Sequence, residues 1–330
     1  MKSAADWPPL ALERLLLGPA RAALLQAALE TGLLSALAAR GGPPASLARR
    51  AGLSAKGTEL LLAGLAELGL ARGHAGRWSL TPRARRLQFG PGFPGLAGAL
   101  DLTCGLNWTL FPLLSRAARK GAPVVPPALA REAQLRRLAA LGALAAAAGP
   151  AAAAALRRGL VRPPRRWLDI GAGTGQLSME LLRRFPRARA VLLDRPEIVR
   201  ACRPGPGGAA GRRMGWRAAD FNRAQGPSRW GRNYDAVLLS QVLSETADLR
   251  RLLDRAAAAL RPGGVLLIHD TFAGAGGFRL ALRALLTMIG SAPPRSAAEV
   301  ARALRARRFQ ILSRSRATRW TELWVARIAT

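Results

Sequence analysis

The stretch Trp167-Leu-Asp-Ile-Gly-Ala-Gly-Thr-Gly-Gln-Leu177 constrains this chain more than any other. It reads as a short strand, then glycines at 171, 173 and 175, then an amphipathic helix. Glycine is needed where backbone turns sharply or lets a ligand sit against it. A loop at the carboxyl end of a parallel strand is where open α/β sheets bind nucleotides. The spacing is G-x-G-x-G; the dinucleotide fingerprint G-x-G-x-x-G would need glycine at 176, where Gln176 stands. The next apolar run, Ala190-Val-Leu-Leu-Asp194, ends on a carboxylate placed to accept both ribose hydroxyls of an adenosine.

The rest of the chain arranges itself around that loop. From Pro163 onward, strand-like runs near 166–170, 189–193, 213–218, 234–239 and 264–269 alternate with helical ones, which implies parallel strands joined by right-handed crossovers. After a helix at 298–307, runs at 309–313 and 321–328 read as a closing antiparallel pair. At the other end, residues 10–40 carry leucine and alanine at helical spacing. A capped helix at 46–52 follows, then a second begun by Ser54 and ended at Gly69, then a short hairpin through Pro82. Helix, turn, helix and hairpin make a winged helix. Between Arg137 and Arg157 no charge intervenes, nearly a membrane-spanning length. The run is mostly alanine and is interrupted by Gly149-Pro150, so it reads as two packed helices.

Composition narrows the class of protein. In 330 residues, half of them apolar, two domains with a sizeable core are the natural expectation. The formal net charge is +32, and it is arginine that carries it: the only lysines are Lys2, Lys56 and Lys120. Scattered arginine pairs with abundant alanine, glycine and proline fit a GC-rich genome acting on surface positions. The same surface leaves room for peripheral contact with an anionic membrane. Cys104 and Cys202 lack metal spacing and fit reduced structural thiols in a cytoplasmic protein. No His, Cys, Asp and Glu grouping has the spacing of a metal site, so no metal is expected.

The glycine loop with Asp194 resembles motif I and the acidic ribose site of class I S-adenosylmethionine-dependent methyltransferases. Further segments, in order, resemble the family 2 O-methyltransferases, which include caffeate-type plant enzymes and bacterial polyketide and carotenoid methyltransferases. Leu193-Asp-Arg-Pro-Glu-Ile-Val199 is similar to the family's D-L-P-x-V segment. Ala219-Asp220-Phe221 is similar to its G-D-F/M-F segment. Tyr234–Ser244 resembles the fourth strand and catalytic loop, and Arg295–Val300 the R-T-x-x-E-W start of a late helix. The resemblance implies a Rossmann-like α/β domain at 163–330, a winged-helix dimerisation domain at 1–95, and a helical connector at 96–162 lining the acceptor pocket. It also implies a homodimer whose cofactor is S-adenosyl-L-methionine.

Site roles follow residue by residue. Asp194 would hold the ribose, Gly171, Gly173 and Gly175 the methionine end, and Asp220 and Phe221 would frame the adenine. Ser240 stands where many relatives carry a lysine near the adenine, and Asp169 begins the glycine loop and orders it. Asn107, Trp108 and Met288 fall where the family places acceptor-pocket residues; each reads equally well as ordinary packing. The family's base is a histidine shortly after strand four, commonly in H-D-W. Here Ser244 stands at that position, followed by Glu245-Thr246. Either the acceptor reacts by proximity alone, or Glu245 or His269 takes the proton, or the domain binds cofactor without transferring its methyl.

The expected activity is methyl transfer to a hydroxyl of an apolar small molecule such as an aromatic polyketide, quinone or carotenoid. Methylation of carbon and a catalytically silent partner protein are the alternatives. A nucleic-acid methyltransferase is disfavoured. Leu239-Ser-Gln-Val242 stands where amino-group methyltransferases place N-P-P-Y, and the second winged-helix helix lacks side chains that read base edges.

Overall fold

In the computed structural model, residues 16–85, 111–121, 127–202, 208–223, 230–272, 295–318 and 321–329 are described, with Glu13, Trp108 and Val124 as isolated positions. The chain divides into two compact units, Met1–Trp108 and Thr109–Thr330.

In the first unit, four helices among the described residues precede a hairpin: α1 (Gly18–Glu30), α2 (Leu33–Ala39), α3 (Pro44–Ala51) and α4 (Ala55–Glu67), then β1 (Ala71–His74) and β2 (Arg77–Leu80). The helical spacing that runs through residue 40 is divided between two helices. Gly32, at φ +74, takes a left-handed conformation that β-carbon-bearing residues resist, and the chain bends there. Ser54 caps α4 by accepting the Gly57 N–H at 3.0 Å. The hairpin turns at Ala75 and Gly76, both at positive φ. Leu33, Leu34, Leu37, Leu47, Leu62, Leu65 and Leu80 form a buried core. The outward side of α4 presents Lys56, Glu59, Leu60 and Glu67, a surface with more carboxylate than cation.

The second unit is built on a seven-stranded sheet in the order β5-β4-β3-β6-β7-β9-β8. Its strands are β3 (Arg166–Ile170), β4 (Arg189–Asp194), β5 (Met214–Ala218), β6 (Tyr234–Ser240), β7 (Leu260–Asp270), β8 (Phe309–Arg316) and β9 (Glu322–Ile328). β3 to β7 run parallel, and β9 is antiparallel to both its neighbours. Central strands covered on both faces read as continuous apolar runs. Their period-2 alternation sends Leu168, Ile170, Leu239 and Ile268 to one face and Trp167, Leu192, Leu238 and Leu267 to the other.

Gly149-Pro150 does not separate two helices. It lies inside one, α5 (Pro127–Gly159). Proline removes one N–H donor, but the flanking alanines favour helix and tertiary packing holds it. Gly149 lets α5 approach α6 (Gln176–Arg184): a Cβ there would sit 2.6 Å from Glu180 Cβ. The portion Arg137–Gly159 is long and apolar enough to cross a membrane, yet about half of it (53%) is buried inside the fold. Helices α7 (Leu249–Ala259) and α8 (Ala297–Arg305) pack on the face that carries Leu168 and Ile268.

Candidate active site

β3 ends inside the sheet and the chain must leave it abruptly to enter α6. It does so through Gly171, Gly173 and Gly175, at φ +67, +52 and +72. A Cβ on Gly171 would overlap Val242 Cγ2, and one on Gly175 would lie 2.6 Å from Leu192 Cδ2. The Gly171 and Ala172 N–H groups donate to the Leu193 carbonyl at 2.8 and 3.2 Å. Gly173 N–H donates to Asp194 Oδ2 at 2.8 Å, and Arg195 N–H to Asp194 Oδ1 at 2.7 Å. The carboxylate at the end of β4 is thereby fixed against the loop after β3. Burial pushes the Asp194 carboxyl above its ordinary value, against the pull of those two donors.

Asp169 lies beneath the loop. Its Oδ2 accepts the Ser178 hydroxyl at 2.6 Å, and Ser178 Oγ accepts Trp167 Nε1–H at 2.9 Å. Burial lifts the Asp169 carboxyl to about 7, with the Ser178 bond opposing and the Asp194 charge assisting.

A single pocket gathers Asp169, Gly171, Gly173, Asp194, Phe221, Ser240 and Glu245 from the expected set. Gly175 and Asp220 stand just outside its lining; Asp220 accepts the Asn222 N–H at 2.8 Å and faces Arg223 at 3.4 Å. Ser244 is half-buried in the turn after β6, likewise outside the lining. Trp108 belongs to the first unit and is 38% exposed. Asn107 and Met288 fall outside the described residues.

His269 has a different place from the one expected of a base. It is fully buried, with Nδ1 2.9 Å from Ser240 Oγ and Nε2 3.0 Å from Thr321 Oγ1. Both nitrogens are engaged, and burial pulls its pKa down to about 4. No ring lone pair faces the pocket; the residue positions Ser240.

Several pocket residues were missed in the sequence, among them Arg137, Thr174, Asn222 and Gln241. Arg137 reaches from α5 to Glu245, Nη2 to Oε1, at 2.5 Å. Its signal was its place at the edge of the charge-free run. Gln241 adopts φ +56, uncommon for a side-chain-bearing residue and a recurring mark of functional sites. Thr174 and Asn222 also line the pocket, and Asn222 Nδ2 donates to the Glu245 carbonyl at 2.9 Å. The loop after β6 is further held by Arg295, which donates to the Leu243 and Thr246 carbonyls at 2.9 and 2.8 Å. Asp270 Oδ2 accepts the Leu243 N–H at 3.0 Å.

Five buried side-chain polar atoms among the described residues lack a partner, and three of them line this pocket: Asp169 Oδ1, Thr174 Oγ1 and Gln241 Nε2. Such atoms are costly unless a ligand satisfies them. Together with the glycine cradle and Asp194, they fit a cofactor with a cationic polar tail and a ribose.

The comparisons agree. A family model described as methyltransferase domain matches residues 132–324, and one described as O-methyltransferase dimerisation domain matches residues 13–88. The 3-hydroxy-5-methyl-1-naphthoate 3-O-methyltransferase of Streptomyces sahachiroi is 29% identical over 256 residues, 74% of this chain and 72% of that protein. The acetylserotonin O-methyltransferase of Rattus norvegicus is 30% identical over 272 residues, 77% of this chain and 61% of that protein. The crystal structure of human N-acetylserotonin methyltransferase with S-adenosylmethionine superposes with a TM-score of 0.72 at 21% identity, covering 100% of both chains. Fold and site thus define a class I S-adenosylmethionine-dependent methyltransferase. More narrowly, the chain belongs to the family 2 O-methyltransferases, with their amino-terminal dimerisation domain.

Proposed function

We propose that this enzyme methylates a hydroxyl of an apolar small molecule of the aromatic polyketide, quinone or carotenoid class, as a cytoplasmic homodimer. The Gly173–Asp194 hydrogen bond carries the reading of the site, because it joins the loop and the ribose carboxylate into one rigid cradle. The relative named for a naphthoate hydroxyl supports the acceptor class. The dimerisation domain supports the homodimer.

In this reading Asp194 takes the ribose hydroxyls, and Phe221 packs beside the adenine with Asp220 at its rim. Asp169 Oδ1 and Thr174 Oγ1 accept from the amino-acid end, and Arg137 faces its carboxylate. S-adenosylmethionine, when bound, supplies a methyl group already activated by its sulfonium. The protein's remaining tasks are alignment, exclusion of water and proton removal. Ser244 is no base at neutral pH and His269 is fully engaged. Glu245 therefore takes the acceptor's proton at Oε2, the oxygen outside its bond to Arg137.

Calorimetry with S-adenosylmethionine and S-adenosylhomocysteine on wild type and Asp194→Ala tests the cradle, and mass spectrometry of a phenolic acceptor panel tests the activity. Micromolar binding lost in the variant and a +14 Da ether product are expected for this reaction. Binding that survives Asp194→Ala, or a product methylated on carbon, would overturn it.

A further inference from the structure

The strands' amino ends, opposite the cofactor pocket, hold a second groove of about 540 Å³. That volume lies in the range of small-ligand sites. It is lined by Arg157, Arg162, Arg165, Arg184, Arg187 and Arg261, with Asp235 the one carboxylate in its wall and prolines and Phe185 as its apolar floor.

The pairings within it can be deducted one by one. Arg157 Nη2 donates to the Arg184 carbonyl at 3.2 Å and its guanidinium lies 4.8 Å from the Phe185 ring centroid. Arg184 pairs with Glu180 at 2.5 Å. Arg261 Nε pairs with Asp235 Oδ1 at 2.5 Å, while Asp235 Oδ2 accepts the backbone N–H groups of Arg165 and Arg166 at 2.7 and 2.8 Å. Asp235 is thus fully committed. The guanidinium groups of Arg162, Arg165 and Arg187 have no partner among the described residues, and all three residues are exposed. Even with Glu180 counted, six arginines face two carboxylates.

Like charges at this density repel one another unless an anion lies between them. Capping of helix ends accounts for Arg157 but not for the three free side chains. Planar guanidinium forks match phosphate oxygens bidentately, and several around one concavity select a group with more than one negative charge.

We propose that this groove binds a multiply charged phosphate group, supplied either as a free oligophosphate or as the headgroup of an anionic phospholipid. The site is separate from the cofactor pocket and independent of the proposed methyl acceptor.

The test uses the full chain saturated with S-adenosylhomocysteine, so that the cofactor pocket is filled, at about 0.15 M salt, where exposed charges are screened beyond ~8 Å. One arm titrates tripolyphosphate by calorimetry; the other measures sedimentation with phosphatidylcholine vesicles with and without phosphatidic acid, whose phosphomonoester headgroup carries up to two negative charges. Arg162→Ala, Arg165→Ala and Arg187→Ala combined should weaken binding by roughly tenfold for each guanidinium removed. A control with Arg72→Ala, Arg77→Ala and Arg83→Ala removes the same charge elsewhere and should change binding less than about threefold. Tripolyphosphate binding without vesicle binding identifies the free anion, and the reverse identifies the lipid. Should the triple variant melt early, the single Arg187→Glu carries the test. No binding to either probe, or equal weakening in groove and control variants, would overturn the proposal.

Discussion

Arg137 and Glu245, 108 residues apart in the chain, meet at 2.5 Å on the wall of the cofactor pocket. The contact ties helix α5 to the loop after β6, so the element that covers the glycine loop and the loop that carries Glu245 are joined by one ion pair. Its two partners have different proposed tasks, and substitution separates them. Arg137→Ala should weaken S-adenosylhomocysteine binding by about tenfold or more, the loss of one charge-assisted contact. Glu245→Gln should leave that affinity within about threefold while lowering kcat by at least ~100-fold, the usual scale of a lost general base. Calorimetry and steady-state kinetics on both variants check this; unchanged kcat in Glu245→Gln would mean that the acceptor needs no base.

Asp169 predicts a pH dependence. Burial raises its carboxyl to about 7 in the folded protein, from 3.8. Folding therefore favours its protonated form, so its contribution to stability is full below 3.8 and is lost as pH rises through 7. A ligand ammonium at Oδ1 favours the charged form instead, so binding releases a proton. Affinity for S-adenosylhomocysteine should rise with pH up to about 7 and fall about tenfold for each unit below it. Asp169→Asn should flatten that slope. A slope that persists in the variant would assign the proton elsewhere.

His269 titrates in the other direction. Its folded pKa near 4 lies below the ordinary 6.5, so its contribution to stability is present above pH 6.5 and is lost as pH falls towards 4. His269→Phe leaves the Ser240 and Thr321 hydroxyls short of a partner and should cost about 2–3 kcal/mol in denaturant unfolding at pH 7. His269→Gln, polar at its end, should keep kcat within about tenfold. A thousandfold loss of kcat in His269→Gln with intact cofactor binding would restore the catalytic reading.

Gly171→Ala should abolish cofactor binding. The position has φ +67 and the added methyl group overlaps Val242, so backbone strain of about 1–3 kcal/mol adds to a clash inside the cradle. Gly173→Ala, whose Cβ would lie 3.4 Å from Leu138 Cδ2, should be milder. Equal losses in the two variants, measured by calorimetry, would show that φ alone sets the cost.

Much of the fold was legible in the linear pattern. The strands at 166–170 and 234–240 match their apolar runs to within a residue, because a parallel strand buried on both faces needs uninterrupted apolar side chains. Ser54 was legible as a cap because capping is a local competition for one N–H group. The single helix through Gly149-Pro150 was not. Glycine and proline together argue for a break there, and it is the packing of α5 against its neighbours that holds the helix through them.

The glycine loop, the acid closing β4 and the order of strands and helices are written in near neighbours. Each is a matter of backbone freedom or periodicity over a few residues, and the sequence alone determined them. The roles of Arg137, Gln241 and His269 depend on which strand end faces which helix. Only the tertiary structure decided that His269 is a buried prop for Ser240. A histidine's protonation and partners are set by burial and by hydroxyls from β6 and the turn before β9, brought together across 29 and 52 residues.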